Sequence, residues 1–598
     1  MLVTLGAAVA AAVLAVPQNG QADPPTGLTV VMVAVGQGDG LVVQAPNGTV
    51  HVIDAGPSGQ GTAAMLPTIA TLAPTGYGYT FNSHFHIDHL GGLDEVLNAH
   101  PFTTALDRGD VNRPSNNDVN NYLAAAGARR QTIVVGGVYS LGGGAIVRCI
   151  SANGVVTGGT TVPVVGTGQE ENSRSVALRL EYGLFSMWFG GDLTGGGTTA
   201  DVETAASLAC GNVDVYKCNH HGSNTSTNLN LIANLQPELA VVSCGVGNSF
   251  GHPTTGTVNR INQAVASRIL LSTTTGSAST IGFGVVGTLR ITTDGQRYRA
   301  TAQNGSFLDF YCDEVPTPSL AAGDLRISEV HRNPSIVPDT NGEYVEVVNV
   351  GAKPVGLAGL SLADGGGSVT IASNFMAVPG RPILFQVDGA GSRNGGQPLG
   401  VPLPFNSLAL GDTADNVTLT DGATVVDTVT WSTGFAGGSG VAAERRDLFA
   451  TTASTNWSAA TMAFGSGDLG SPGRTNDVDT TAHGVQVGVS LATDRFTVHG
   501  TAFDLPGMFS VLLLAQSPTP TFPFANATIP LAFDSLLQAS LSAPGFVAFV
   551  PTAGYRSVDV SLPQPNPLSG TTLHAAHVTL DFALAVPGLS PSIAFVLP

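Results

Sequence analysis

Between Ser83 and Gly92 the chain reads Ser-His-Phe-His-Ile-Asp-His-Leu-Gly-Gly, placing His84, His86, Asp88 and His89 within six residues. Neutral imidazole and carboxylate are the ordinary protein ligands of Zn²⁺ and related ions. Solvated loop histidines do not need such density. Gly190-Gly191-Asp192 and then His220-His221-Gly222-Ser223 follow, with Gly251-His252-Pro253 last. An aspartate bridges two cations through its two oxygens, which makes Asp192 the candidate bridge. One of His220 and His221 completes the second metal's ligands; the other contacts substrate or shuttles protons. No GxSxG-type nucleophile accompanies them. The expected chemistry is direct hydrolysis by a metal-bound hydroxide.

Short strands must deliver these residues. A strand over residues 79–83 lets the alternating His84 and His86 face one ion, and a turn from Asp88 aims Asp88 and His89 at a second. Gly91-Gly92 allows close backbone packing there. The apolar run 184–189 puts Asp192 at a strand end, and 213–217 reads as the strand ahead of His220 and His221. Further strands are expected at 28–35, 41–44 and 50–53, with helical character at 62–71.

The ordered set Val35-Gly36-Gln37-Gly38-Asp39, Ile53-Asp54-Ala55-Gly56, His84-x-His86-x-Asp88-His89, Gly191-Asp192, His220-His221-Gly222-Ser223 and Gly251-His252-Pro253 resembles the metallo-β-lactamase superfamily. More narrowly, it is similar to the hydrolase domain of ComEC-type DNA-uptake proteins. The resemblance covers about residues 27–302 and implies an αββα sandwich with the site at the strand ends along one edge. It implies that His84 and His86 bind the first metal, that Asp88, His89 and His221 (or His220) bind the second, and that Asp192 bridges them. Asp39 and Asp54 would orient ligands. Where the superfamily often carries another metal-binding histidine, this chain has Glu171-Asn172-Ser173-Arg174-Ser175. The ComEC-type branch shares that Asn-x-x-Ser, so the first metal is left with fewer protein ligands and Asn172 faces substrate or metal-bound water. Asp88, Asp192, His220, His252 and Asn172 are the expected catalytic residues, with His220 or His252 stabilising developing charge or protonating the leaving group. Two divalent ions are expected, zinc first and manganese second.

The chain has 598 residues, a net charge of −19 and only 11% charged residues. Its 43% hydrophobic content supports a buried core, and its 76 glycines and 36 prolines point to turn-rich β structure. Residues 1–22 read as a signal peptide, apolar from 5 to 16, although no Lys or Arg precedes Arg108. The hydrolase domain is expected over 27–312 and a linker over 313–323. Residues 324–476 alternate apolar and polar residues between glycine-rich turns. Ile327-Ser328-Glu329-Val330, Glu343-Tyr344-Val345-Glu346 and Gly470-Ser471-Pro472-Gly473-Arg474-Thr475-Asn476 resemble a lamin-tail domain, which implies an immunoglobulin-like β-sandwich. Glu343 and Glu346 read as ordinary exposed strand carboxylates. Residues 485–598 are expected to form a C-terminal all-β domain without an assigned role. The five cysteines form no CxxC pair and read equally as disulfides or buried thiols.

The leading function is a secreted or surface-attached bacterial phosphodiesterase or nuclease, with DNA as the substrate that the resemblance implies. The alternatives are a cell-wall or phosphorylcholine-type head-group phosphodiesterase, and a non-catalytic surface-binding protein with a relic metal site. Residues 313–598 hold 23 acidic against 10 basic residues, so most of the negative charge lies outside the catalytic region. A polyanion would then be held mainly at the metals, with weak and salt-sensitive binding.

Overall fold

The computed structural model describes residues 26–597, apart from 264–265, 278–279, 314–318, 405–406, 451, 480–484, 492–494, 503–507, 544–545, 550–554, 563–565 and 582. The signal-peptide stretch 1–22 and the central part of the 313–323 linker lie outside the described residues.

Two large sheets face each other in the first region. One runs in the order Phe307–Tyr311, Arg297–Thr301, Leu289–Thr293, Leu28–Met32, Gly40–Gln44, Thr49–Ala55, Gly76–Phe81, Thr104–Asp107 and Arg130–Thr132. The other runs Gly284–Val285, Ile269–Ser272, Leu239–Val242, Val215–Lys217, Phe185–Phe189, Ala177–Tyr182, Ala145–Ala152 and Val138–Gly142. The alternation of side chains along each strand assigns their faces. Val30, Met32, Leu41 and Val43 meet Leu180, Met187, Leu239 and Val241 between the sheets. Val31 and Val42 point the other way, under Val96 of helix Leu93–Ala99 and Tyr122 of helix Asn117–Ala126. Trp188, Tyr216 and Ala240 likewise point outward, under helices Val202–Cys210, Leu229–Leu235 and Thr255–Asn262. The result is the four-layered αββα arrangement expected for this region. Side-chain oxygens of Asn116, Asp201, Asn228 and Thr254 cap the helix starts. The helical character expected at 62–71 appears as Gly61–Met65 followed by Leu66–Thr71.

Strands Thr49–Ala55, Gly76–Phe81, Thr104–Asp107 and Arg130–Thr132 are mutually parallel, as are Phe185–Phe189, Val215–Lys217, Leu239–Val242 and Ile269–Ser272. The loops leaving the ends of these strands carry the site, as is usual for α/β sheets.

The second region adds two larger β-sheets and the two-stranded pair Val355–Gly356 with Met376–Ala377. One joins Ser368–Ile371, Leu360–Asp364, Asp415–Asp421 and Thr424–Trp431; the other contains Pro382–Gln386, Tyr344–Asn349, Leu325–His331, Ala443–Arg445 and Trp457–Ala459. Their apolar faces share a core that is continuous with the first region. Ala266–Ser267 of the first region pairs with Ser368–Ile371, and the Phe310 and Phe375 rings meet edge-on at 5.6 Å.

Glu343 and Glu346 are not exposed as expected: they retain 4% and 0% exposure. Glu346 stands opposite Glu329, which stands opposite Glu444, across three adjacent strands. Donors from the Gly470–Asn476 motif reach into this row. Ser471 N–H donates to Glu329 at 3.0 Å, and Gly473 N–H to Glu346 at 2.8 Å. Burial pushes Glu329 up to about 7 and Glu444 up to about 8.

The third region is built of β-sheets, including Arg495–Ala502, Phe509–Ala515 and Thr572–Leu580, with one helix among the described residues, Ser535–Ser542. The all-β expectation missed this helix. Asp534 caps it, and Leu537 and Leu541, one turn apart, bury its inner face. Arg495 and Arg297 tie the region to the first through Asp294 and Asp559, at 2.8 and 2.7 Å. None of the five cysteines is in a disulfide, and Cys149, Cys218, Cys244 and Cys312 are buried.

Candidate metal centre

Strand Gly76–Phe81 leads into His84 and His86, and the turn Ile87–Leu90 presents Asp88 and His89. A β-carbon on Gly91 would collide with the backbone nitrogen of Ser58, and one on Gly92 with the carbonyl of Ala55, so this turn lies directly on the neighbouring chain. Strand Phe185–Phe189 ends at Asp192. Strand Val215–Lys217 ends at His220 and His221, which take successive left-handed conformations, φ 49° and 53°. Such strain in non-glycine residues costs free energy and persists where surrounding structure fixes it. Here it sends the two rings to opposite oxygens of one carboxylate. His221 Nε2 lies 3.4 Å from Asp192 Oδ1, and His220 Nε2 lies 3.7 Å from Asp192 Oδ2.

On the Oδ1 side, His89 Nε2 is 3.1 Å from Asp192 and 3.2 Å from His221 Nε2. Asp88 Oδ2 is 3.3 Å from His221 Nε2 and 4.0 Å from His89 Nε2. A tetrahedral ion with bonds of about 2.0–2.1 Å holds its ligands roughly 3.3 Å apart. His89, Asp192 and His221 therefore fit one cation, with the Asp88 carboxylate beside His221. On the Oδ2 side, His84 Nε2 is 3.9 Å from Asp192 and 3.0 Å from His86 Nδ1. These three residues form a second, sparser group, with His86 exposed. Asn172 Nδ2 stands 3.2 Å from His220 Nε2.

Partner chemistry fixes the tautomers. His89 Nδ1 lies 2.8 Å from Asp54 Oδ2, and His221 Nδ1 lies 2.9 Å from the Ser243 carbonyl. Both partners only accept, so each Nδ1 carries the proton and donates. In the neutral rings the two Nε2 atoms turn their lone pairs toward each other, beside a buried Asp192 Oδ1 that has no hydrogen-bond partner. Two imidazole lone pairs and an orphaned carboxylate oxygen suit a cation. The titration of the same groups agrees. Burial is the largest single influence and opposes charge on His89 and His221, but the carboxylates together outweigh it, Asp192 with Asp88 and Asp39 at His89 and Asp192 with Asp39 at His221; both imidazoles are held well above their usual range. The pocket draws positive charge into itself. His84 behaves oppositely: burial and the neighbouring His89 hold it well below that range.

Asp39 also approaches His89 and His221, but at their Nδ1 atoms, 3.6 and 3.5 Å away. The Nδ1 and Nε2 atoms of one ring point in different directions, so Asp39 supports these rings from behind. Lys217 pairs with Asp39 there and reaches the Gly191 carbonyl at 3.3 Å. Asp54 also accepts from Ser83 N–H and Oγ–H, at 2.7 and 2.6 Å. His252 does not reach Asp192 or the cation groups. Its ring lies 5.5 Å from that of His220 and 6.2 Å from that of His221, with Nδ1 buried and unpaired. Burial, then the charges of His221 and His220, hold His252 down at about 4.

Sequence reasoning missed three positioning residues. Lys217 is one of only two lysines and sits in an apolar strand, a signal in itself. Glu203, fully buried in helix Val202–Cys210, accepts from Asn219 Nδ2, Thr227 N–H and Asn228 N–H at 2.7–2.9 Å and so holds the loop bearing His220 and His221. Arg108, fully buried, donates to Glu171 at 3.0 Å, and Glu171 accepts from Phe85 N–H at 2.8 Å. This joins the Asn172 segment to the loop of His84 and His86.

Residues 33–246 match the model of the metallo-β-lactamase superfamily. The first region is a metallo-β-lactamase superfamily domain. Within curated proteins, the domain is 24% identical over 239 residues to ComE operon protein 3 of Bacillus subtilis, covering 37% of this chain and 29% of that protein. It is 27% identical over 181 residues to Recombination protein 2 of Haemophilus influenzae, covering 30% and 19%. It is 34% identical over 94 residues to Competence protein ComA of Neisseria gonorrhoeae, covering 15% and 13%. The chain thus spans less than a third of the length of each relative. Solved structures similar to the metallo-β-lactamase domain include zinc-bound PqqB from Methylobacterium extorquens, at 12% identity and a TM-score of 0.26, covering 38% of this chain and 93% of that one. Another is a metallo-β-lactamase from Hirschia baltica, at 13% identity and a TM-score of 0.17, covering 28% and 67%. Among the described residues no helix is long and apolar enough to cross a membrane.

Proposed function

We propose that the chain is a binuclear metal-dependent phosphodiesterase, with DNA as the preferred class of substrate. The observation that carries the reading is the pair of ligand groups sharing Asp192, one on each carboxylate oxygen. His84 and His86 would hold one ion, Asp88, His89 and His221 the other, with zinc favoured by the nitrogen-rich donor set. When bound, such a pair lowers the pKa of a water and draws charge from a phosphoryl oxygen. The chain's own residues set the geometry. Asp54 and the Ser243 carbonyl hold His89 and His221 in the tautomer that turns Nε2 inward. Asn172 and His220 line the Oδ2 side, where their polar atoms can orient a phosphodiester. Neutral His252 has an unpaired ring nitrogen for a hydrogen bond to a leaving-group oxygen. The competence-protein relatives support DNA over a head-group ester. The lamin-tail reading of 324–476, and cell-surface attachment through both β regions, belong to the same proposal. The way Ser471 and Gly473 lock onto Glu329 and Glu346 supports the first of these, since it gives the motif a structural reason.

The test is turnover of bis-p-nitrophenyl phosphate and of single-stranded DNA by the full chain, loaded with Zn²⁺ or Mn²⁺ and then stripped with EDTA. Metal-dependent cleavage of both is expected. A metal-loaded protein inert toward phosphodiesters would contradict the reading, and a preference for phosphorylcholine esters would redirect it.

A further inference from the structure

Three rings climb from the metal centre to solvent. His221 and His252 lie 27° from parallel with centroids 6.2 Å apart, and His252 and Phe250 lie 27° from parallel with centroids 5.7 Å apart. His221 and His252 are buried, whereas Phe250 is 67% exposed. Single exposed apolar residues need no explanation. Phe250 differs because its ring continues a stack that begins at a metal-ligand candidate. The turn that carries it is built: Asn248 donates from Nδ2 to the carbonyls of Gly245 and His252, at 2.9 and 2.6 Å, and accepts from His252 N–H at 2.9 Å. Val246, in the same turn, is 74% exposed.

We propose that Phe250 is a stacking platform for the nucleobase next to the scissile phosphodiester. This rests on the phosphodiesterase reading and deepens it. The exposed ring offers one flat face, which suits a planar base; a quaternary ammonium is enclosed by several rings. Base–aromatic stacking tolerates any sequence and adds affinity without cations. That fits a chain with net charge −19, which holds a polyanion without a broad basic surface.

The test compares two esters that share a leaving group, thymidine 5′-(p-nitrophenyl phosphate) and methyl p-nitrophenyl phosphate, on the full metal-loaded chain. The quantity read is the ratio of their kcat/KM values. Phe250→Ala lowers the ratio by about ten-fold or more, through KM of the nucleotide ester, and Phe250→Trp keeps it within about two-fold. A ratio unchanged in Phe250→Ala overturns the proposal. A wild-type protein that cleaves neither ester contradicts the phosphodiesterase reading instead. Stacking is then read from a 2-aminopurine dinucleotide, whose fluorescence is quenched by wild type and not by Phe250→Ala; absence of quenching in wild type overturns the stacking proposal too.

Discussion

Lys217 and Asp39 are 1% exposed each and pair behind the rings of His89 and His221. Removing one partner of a buried pair strands the other charge and costs about 3–5 kcal/mol. Lys217→Met should therefore destabilise the fold by that amount in equilibrium denaturation, since only the His89 and His221 rings then offset the burial of Asp39. Asp54 touches the candidate ligands through the Nδ1–H of His89, and also accepts from Ser83 N–H and Oγ–H. Asp54→Asn should weaken metal affinity by about 10–100-fold in a competitive chelator titration while leaving the melting temperature of the metal-free protein close to wild type. At this scale the candidate ligands were legible because His84, His86, Asp88 and His89 lie side by side, and His220 and His221 follow a strand. What holds them was not legible. Glu203 meets Asn219, and Arg108 meets Glu171, only once distant segments have folded together.

The strand over 28–35 was read from its apolar run, and Val30 to Val33 shows why this worked: it is covered on both sides, its residues alternating between the inter-sheet core and the helix-covered face. Ser535–Ser542 was missed because eight residues between strands give too few turns for a clear helical period. His51 shows an element-scale device that no motif reveals. Its Nε2 lies 3.0 Å from the Leu141 carbonyl in the strand Val138–Gly142 of the opposite sheet, and its Nδ1 accepts from Tyr79 N–H at 3.0 Å. Burial lowers its pKa to about 4. The folded value lies below the unfolded one, near 6.5, so this stability is present above pH 6.5 and is lost as pH falls toward 4. The loss amounts to up to about 3 kcal/mol. Denaturant titrations of wild type and His51→Gln at pH 7.5 and 4.5 should show a smaller pH dependence in the variant by about that amount.

Across the whole molecule, the first region and the second region share one apolar core. Polar groups complete the join: Ser373 Oγ accepts from Ile269 N–H and Asn374 N–H donates to Glu238, both at 3.1 Å, and Phe375 packs edge-on against Phe310. A chain ended after residue 312 exposes Phe310 and leaves the edge at Ala266–Ser267 unpaired. Its melting temperature should fall by about 5 °C or more in differential scanning calorimetry. Composition alone did not reveal this union, because a shared core depends on which faces meet and not on residue content. The central claim concerns Asp192, whose two oxygens face two ligand groups. Metal stoichiometry measures it most directly, by isothermal titration of the metal-free full chain with Zn²⁺. Two ions per chain are expected for wild type, with Asp192→Ala losing at least one of them. Wild type binding no ion, or Asp192→Ala binding both with unchanged affinity, would contradict the account.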